Sequence, residues 1–401
     1  MTGKKAAWSR REFLKTAGAV SVTSMLAAVS KTSKASDEPA NIPRRPFGKT
    51  GVDVPILSFG GSLNSSINLL VLRQAIQWGV TYWDTAASYM GGNSEKAFGK
   101  YLAKYPEDRQ KIFLVTKSHA RSPEGMTKSL HNSLEKMETD YVDLFFVHGI
   151  GSIAEINAGT RAWAEQAKRE GRIRFIGFST HSNMAACLLG AARLGWIDGI
   201  MVAYNYRLMH REGIKQAVNA CAEAGIGLTA MKTQGGGQVM TDSETELELA
   251  GRFMAAGFTN AQAKLMAVWE NPHIASICSE MPNMAILMAN VAAAMNKTGL
   301  SADARNLLQQ YAMETRSNYC TGCSRICESK IEGRFPIGDV MRCLMYYRSY
   351  GNRDRAVAQF KQIPAEIRRQ IPNIDYSLAE KKCPQKMVIG RLMKEAVSEL
   401  S

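Results

Sequence analysis

Short apolar runs alternate with amphipathic segments along most of the chain. The runs are rich in β-branched and aromatic residues and predict eight strands: Leu57–Gly60, Tyr82–Thr85, Ile112–Lys117, Val142–His148, Ile173–Ser179, Gly199–Tyr204, Ile226–Met231 and Ile274–Cys278. Between them, apolar residues recur with a helical period, as in Met126–Met137 and Gly213–Ala224. Strands that alternate with helices in this way predict a parallel α/β fold, either a closed barrel or an open doubly wound sheet.

One missing motif argues against the open sheet, and a hairpin is predicted before the first strand. No Gly-x-Gly-x-x-Gly follows the first predicted strand, although an open dinucleotide-binding sheet would place that motif there. The preceding segment, Arg45–Val54, alternates around a Lys-Thr-Gly turn and predicts a β-hairpin. We therefore expect an α/β fold, a (β/α)8 TIM barrel with an N-terminal β-hairpin, over residues 45–295.

Four chemically active side chains follow or end successive predicted strands. Asp84 ends the second strand, Tyr89 lies in the loop after it, Lys117 ends the third and His148 ends the fourth. Each alone has an ordinary structural explanation, such as a strand cap, a solvated lysine or a core histidine. Because active sites of such barrels lie at the C-terminal ends of the strands, their joint placement favours a catalytic set.

The four residue types suit proton transfer to a carbonyl oxygen during hydride transfer. Tyr89 would be the general acid, and the ammonium of Lys117 would lower the pKa of its phenol. Asp84 would pair with Lys117 and hold it in place. His148 would donate a hydrogen bond to the substrate carbonyl and orient it.

The sequence resembles the aldo/keto reductase superfamily. The matching phrases are Asp84-Thr85-Ala86-x-x-Tyr89, Val115-Thr116-Lys117, the segment from Asp140 to His148, the segment from Gly171 to Ser179, and Tyr204-Asn205. The resemblance extends from about residue 45 to residue 290. It implies an oxidoreductase that transfers hydride between NADP or NAD and a carbonyl or alcohol.

The resemblance also implies a cofactor site, with two departures from the family pattern. It assigns nicotinamide stacking to Tyr204, carboxamide contacts to Ser179 and Asn205, pyrophosphate contacts to Gly235 and Gly236, and adenine-side contacts to Asn283 and Asn290. Thr180 follows Ser179 where the family usually has Asn. The loop from Ser279 to Asn283 lacks the usual cations for a 2′-phosphate, which leaves the choice between NADP and NAD open.

Residues 300–401 predict a small, mainly helical extension that contains five of the eight cysteines. Cys320, Cys323 and Cys327 form a compact triplet, and Cys383 precedes a proline, a pattern similar to the ligands of a [4Fe–4S] cluster. A subgroup of aldo/keto reductases carries such a ferredoxin-like tail. Cys343 is an alternative fourth ligand, and disulfides, zinc or a metal-free site are alternative interpretations. The remaining cysteines (Cys187, Cys221 and Cys278) are expected in the barrel core.

The distribution of charge along the chain helps to predict the cellular location of the protein. The chain of 401 residues carries a net charge of +14, and basic residues are concentrated in residues 1–35. There, Ser9-Arg10-Arg11-Glu12-Phe13-Leu14-Lys15 precedes a mild apolar stretch, which is typical of a twin-arginine signal peptide. We expect export to the periplasm by the twin-arginine machinery, with no stable membrane anchor. No basic run suggests a nucleic-acid partner.

Three functional hypotheses follow. The first is an exported oxidoreductase acting on a small carbonyl or sugar substrate, with electron exchange through the tail cluster to a partner. The second is an enzyme with tightly bound NAD that oxidises a sugar transiently, permits elimination or epimerisation, and shows no net redox change. The third is a non-catalytic redox or partner-binding module.

Overall fold

The protein is described here from a computed structural model, which covers residues 42–63, 67–236, 251–254, 257–332 and 335–401. The expected signal segment, residues 1–35, and Gly237 lie outside these described residues. Within them, no helix is both long enough and apolar enough to cross a membrane.

Ten strands are present in the described residues. They are β1 Arg44–Pro46, β2 Asp53–Pro55, β3 Leu57–Gly60, β4 Tyr82–Asp84, β5 Phe113–Ser118, β6 Val142–Ile150, β7 Ile173–Thr180, β8 Gly199–Ala203, β9 Gly227–Met231 and β10 Ile274–Glu280. Strands β3 to β10 are parallel and form a closed barrel in which β10 pairs with β3. The predicted fold class is confirmed, because the apolar runs of the sequence are the barrel strands.

Helices connect the barrel strands and continue into the extension. The helices are α1 Leu69–Gln77, α2 Asn93–Lys104, α3 Pro123–Met137, α4 Ala158–Arg169, α5 Met184–Leu194, α6 Glu212–Glu223, α7 Asn260–Trp269, α8 Met284–Ala294, α9 Ala302–Glu314, α10 Ser324–Glu328, α11 Ile337–Arg348, α12 Arg353–Phe360, α13 Ala365–Gln370, α14 Ser377–Lys382 and α15 Ile389–Leu400. Several begin at side-chain caps that the sequence supplies, such as Ser122 before α3.

The predicted hairpin closes the N-terminal end of the barrel. Strands β1 and β2 pair in an antiparallel manner, and the fully buried Phe47 between them reaches into the barrel. A Cβ added at Gly199 or at Gly227 would stand less than 3 Å from the Phe47 ring, so glycine is required on both strands. Side chains therefore fill the N-terminal end of the barrel, and ligands are expected to enter from the opposite end.

The apolar core divides into a barrel part and an extension part. Helix α9 packs with the barrel core through Leu308 and Tyr311, whereas the separate core of the extension begins at Cys327 and runs to Leu400. Residues up to about 319 thus pack with the barrel, past the boundary expected near residue 300. From there the extension lies across the C-terminal ends of the strands.

Candidate active site

The four residues predicted as a catalytic set converge at the C-terminal mouth of the barrel. Asp84, Tyr89 and His148 line a cleft of about 1880 Å³, and Lys117 lies buried beneath them. Tyr89 opens a short 3₁₀ turn in which Met90 has a left-handed backbone conformation, with φ of 53°. A connection of only four residues separates this turn from β4, so the phenol stays near the strand end that carries Asp84.

Lys117 and Asp84 form a buried ion pair. The Nζ atom of Lys117 lies 2.6 Å from Oδ1 of Asp84 and also donates to the backbone carbonyl of Thr85 at 2.7 Å. The lysine side chain has no solvent exposure and that of Asp84 only 2%. Burial lowers the pKa of Lys117, but Asp84 and Tyr89 together raise it above its usual value, so the ammonium stays charged.

Tyr89 is held as a neutral phenol. Its hydroxyl lies 3.4 Å from the Nζ atom of Lys117, and that ammonium stands 4.7 Å from the ring centroid. Burial raises the pKa of Tyr89 to about 12, although Lys117 opposes the rise. The sequence predicted a lowered pKa, and the net direction is the reverse because desolvation outweighs the ammonium. A protonated phenol is the form that donates a proton.

His148 is a neutral imidazole between two rings. It stacks on His119 with centroids 4.2 Å apart, and its centroid is 5.7 Å from that of Tyr89. Burial, followed by the nearby charge of Lys117, holds the pKa of His148 well below 6.5. A neutral imidazole at physiological pH can donate a hydrogen bond to a carbonyl oxygen without competing for its proton.

Two of the residues predicted to contact the nicotinamide lie away from the cleft. Tyr204 is buried between the barrel and its helices, and its hydroxyl accepts a hydrogen bond from Asn271 at 2.8 Å, so it has no free face for stacking. Asn205 donates to the carbonyl of Lys232 and to the hydroxyl of Tyr319, both at 3.0 Å. The roles predicted for both residues do not fit this structure. Asn205 instead joins the barrel to the extension.

Three other residues predicted to contact the cofactor lie outside the cleft lining. Ser179 accepts a hydrogen bond from the backbone of Gly149 at 2.9 Å, directly after His148. Gly235 has a φ of 59°, and a Cβ there would stand 2.6 Å from the Tyr206 ring, so its glycine requirement comes from packing. Gly236, with φ of 122°, lies next to it and outside the cleft lining.

Of the two residues predicted to contact the adenine side, one lines the cleft and the other caps a helix. Asn290 lines the cleft and donates to Oγ of Ser279 at 3.0 Å. Asn283 caps helix α8, because its side chain accepts from the backbone of Ile286 at 3.0 Å. Glu280, in the segment that lacks cations for a 2′-phosphate, forms an ion pair of 3.1 Å with Arg355 of the extension.

The four cysteines predicted as cluster ligands are close together. Cys320, Cys323, Cys327 and Cys383 line one small cavity under helices α10 and α14, whereas Cys343 lines the large cleft. All eight cysteines are free thiols. In the described part of the chain, no three His, Cys, Asp or Glu side chains have the arrangement of a metal-ion site. Cys187 and Cys221 are buried as expected, but Cys278 lines the cleft beside Asp84.

The cleft is also lined by residues that were not predicted from the sequence. His119 and His181 directly follow β5 and β7, on either side of the strand that carries His148. Their position immediately after apolar strands was a signal available in the sequence. The other additions are Lys232, which follows β9, and three residues that the extension contributes: Arg342, Tyr346 and Arg355.

Comparison with known proteins gives the family of this barrel. The sequence profile of the aldo/keto reductase family matches residues 58–312, which is more than half of the chain. The chain therefore belongs to the aldo/keto reductase family. The profile ends before the cysteine-containing extension.

Individual relatives are distant. L-galactose dehydrogenase of Arabidopsis thaliana is 25% identical over 67% of this chain and 93% of its own length. The aldo-keto reductase yakc [NADP(+)] of Schizosaccharomyces pombe is 28% identical over 49% of this chain and 62% of its own length. The solved holo form of aldo-keto reductase AKR11C1 from Bacillus halodurans is 22% identical and covers 67% of this chain and 96% of its own, with a TM-score of 0.54. That likeness shows the fold.

The buried ion pair yields a stability prediction. Replacing Lys117 by Met leaves the Asp84 carboxylate buried without its partner, and we expect the free energy of unfolding to fall by about 3–5 kcal/mol. The double variant with Asp84→Asn and Lys117→Met should recover most of this loss, because no uncompensated charge remains. Urea unfolding followed by tryptophan fluorescence measures both. Equal instability of the single and double variants would contradict this account.

Proposed function

We propose that the protein is an oxidoreductase that transfers hydride between a nicotinamide dinucleotide, NADP or NAD, and a carbonyl or alcohol substrate. The observation that carries the proposal is the contact of a charged, buried Lys117 with a neutral Tyr89 beside a neutral His148, at the open end of the barrel. Membership in the aldo/keto reductase family supports the same chemistry.

The cleft offers enough room for a dinucleotide together with a substrate. Its volume of about 1880 Å³ exceeds the roughly 300–1000 Å³ of an ordinary small-molecule pocket. From the catalytic set it passes the ends of β9 and β10 to helix α8, where Asn290 and Ile286 line it. Asn290 and Ser279 are the residues best placed to hold the nucleotide. When bound, the nicotinamide would supply or accept the hydride.

Each residue of the set then has one task. Tyr89 donates its hydroxyl proton to the substrate oxygen in reduction and recovers it in oxidation. Lys117, fixed by Asp84, stabilises the phenolate that Tyr89 becomes after donating. His148 donates a hydrogen bond to the same oxygen and orients the carbonyl.

The role of Tyr89 is tested by Tyr89→Phe, which removes the hydroxyl and keeps the ring. We expect turnover of an aldehyde substrate to fall by about 100-fold or more, since general acid catalysis is lost. Nicotinamide nucleotide binding, followed by quenching of protein fluorescence, should change little. Tyr105→Phe, at a half-buried position outside the cleft lining, is the matched control. Full activity of the Tyr89 variant would contradict the assignment.

A second candidate function has no net redox change, and the covering of the cleft by the extension favours it. Arg355 of α12 pairs with Glu280 at 3.1 Å, and Tyr346 of α11 accepts a hydrogen bond from Lys232 at 2.6 Å. These bonds would hold a nucleotide in place between turnovers. A retained dinucleotide could oxidise a sugar transiently, permit elimination or epimerisation, and be reduced back. The sugar substrate of the relative L-galactose dehydrogenase is compatible with such a substrate.

Retention of the cofactor is directly measurable. If the extension holds the nucleotide, the purified protein should release about one dinucleotide per chain on denaturation, and mass spectrometry of the filtrate identifies it as NAD or NADP. The Arg355→Met variant should release less after the same purification, because the ion pair with Glu280 is lost. A filtrate free of nucleotide would contradict tight binding and leave ordinary exchange of cofactor.

We also propose that the extension holds a [4Fe–4S] cluster through Cys320, Cys323, Cys327 and Cys383. Four thiols around one cavity match the ligand set of such a cluster. A four-iron cluster is wider than one ion, so its ligands need not lie as close together as those of zinc. The cluster would supply one-electron transfer and connect the enzyme to an electron-transfer partner.

The cluster proposal predicts different outcomes for two cysteine variants. Cys383→Ser should lose the broad visible absorbance and the iron of anaerobically purified protein, because it removes a ligand at the shared cavity. Cys343→Ser is the control, since Cys343 faces the large cleft. A colourless wild-type protein with zinc bound would contradict the proposal. Loss of colour from the Cys343 variant alone would assign it as the fourth ligand.

Export rests on the sequence alone. The twin-arginine phrase from Ser9 to Lys15 supports a periplasmic location, and that route suits a protein that acquires its cofactors before transport.

A further inference from the structure

A second tyrosine–lysine pair lies in the same cleft as Tyr89 and Lys117. Tyr346 comes from helix α11 of the extension, and Lys232 directly follows β9 of the barrel. The Nζ atom of Lys232 donates to the hydroxyl of Tyr346 at 2.6 Å and stands 4.4 Å from its ring centroid. Both residues line the cleft, and hydride transfer through Tyr89 requires neither of them.

Cations surround the hydroxyl of Tyr346. An Nη atom of Arg355 lies 3.3 Å from it, and the guanidinium lies over the ring at 4.1 Å. Arg355 has its own carboxylate in Glu280, and Arg342 has Asp339 at 2.9 Å. Lys232, in contrast, donates its hydrogen bond to the phenol of Tyr346. If Tyr346 loses its proton, the resulting phenolate can neutralise the charge of this lysine.

The two phenols of the cleft are consequently tuned in opposite directions. Burial raises the pKa of Tyr346, but Arg355, Lys232 and Arg342 lower it to about 8. Glu280, Tyr319, Tyr350, Tyr89 and His181 also act on this region, and burial holds the pKa of Tyr350 well above 10 and that of His181 well below 6.5. Tyr89, with a pKa of about 12, therefore holds its proton more strongly than Tyr346.

Backbone strain marks the same position. Lys232 is a non-glycine residue with φ of 56°, in the left-handed region that lysine rarely adopts. Strained residues persist where surrounding contacts hold them, and they are concentrated at functional sites. Here the carbonyl of Lys232 accepts from Asn205, while its ammonium bonds to Tyr346. Hydrogen bonds hold both the backbone and the side chain of Lys232, and its ammonium is therefore held at the cleft.

We propose that Tyr346 is a second catalytic residue, which removes a proton from the carbon next to the carbonyl group that Tyr89 and His148 hold. The C–H bond breaks and its proton joins the oxygen of Tyr346. The electron pair forms a carbon–carbon double bond, and the carbonyl π electrons move to oxygen, which takes the proton of Tyr89. The product is an enol, and return of a proton to carbon completes an isomerisation or epimerisation. No oxidant or reductant is needed.

The substrate class follows from this step. It is a carbonyl compound with a hydrogen on the adjacent carbon, such as an α-hydroxy ketone or a sugar in its keto form. The inference rests on the proposed carbonyl site at Tyr89 and gives the cleft the two proton-transfer groups that the redox-neutral candidate function requires.

Deuterium exchange tests the step directly. The full-length protein is incubated in D₂O with dihydroxyacetone and no added nicotinamide, and incorporation at carbon is followed by proton NMR. We expect incorporation by the wild-type protein, a loss of about 100-fold or more in Tyr346→Phe, and retention in Tyr350→Phe, the neighbouring tyrosine on the same side of the cleft. Absence of incorporation by the wild-type protein, or equal rates in wild type and Tyr346→Phe, would overturn the proposal.

Titration of the phenol is a readout that needs no substrate. The near-ultraviolet difference spectrum should show one tyrosine that ionises near pH 8, absent from Tyr346→Phe and present in Tyr350→Phe. The phenolate form increases as pH rises through this value, so exchange should increase and level off above about pH 8. Lys232→Met removes a charge that favours the phenolate and should shift both midpoints upward. Tyrosine ionisation confined to the ordinary range near pH 10 would overturn the assignment.

Failure of this inference is distinguishable from failure of the proposed function. Oxidation of reduced nicotinamide with the same probe reports hydride transfer by its own absorbance. Exchange without nicotinamide oxidation would support Tyr346 and contradict the proposed oxidoreductase. Nicotinamide oxidation without exchange would support the proposed oxidoreductase and contradict the role of Tyr346.

Discussion

The buried ion pair between Lys117 and Asp84 is the interaction on which the candidate site depends. It joins the ends of adjacent strands β4 and β5, so the two charges can meet only when these strands pair in their proper register. An ammonium without solvent exposure needs this partner, and once fixed it lowers the pKa of both Tyr89 and His148, in addition to the larger effect of burial. Fold and chemistry are therefore coupled through one contact.

The barrel and the convergence of the four candidate residues could be predicted because both depend on local patterns. Apolar runs marked the strands, and the residues at their ends had to share one rim once the barrel was closed. The direction of the pKa shift of Tyr89 could not be predicted in this way, because burial outweighs the ammonium. Tertiary packing decides desolvation, and no short stretch of sequence encodes it.

Two of the residues predicted to contact the cofactor make packing contacts in this structure. Tyr204 and Asn205 carry the family phrase, yet one hydrogen bonds to Asn271 and the other fastens Tyr319 of the extension. Residues more than a hundred positions away, on α11 and α12, also line the cleft. The sequence predicts a helical extension but not that the extension forms one wall of the cleft.

The contact between the cysteine loop and the loop after β7 has a mechanical consequence. Gly322 lies against the backbone carbonyl of His181 so closely that a Cβ would overlap it, and its own carbonyl accepts from Asn183 at 2.7 Å. The loops that carry Cys320 and His181 are therefore packed backbone against backbone, with no room for a side chain between them. A substitution that enlarges Gly322 would have to displace the segment that carries His181, which lines the cleft. The extension thus constrains the shape of the barrel mouth at a position far from the ion pair of Lys117 and Asp84.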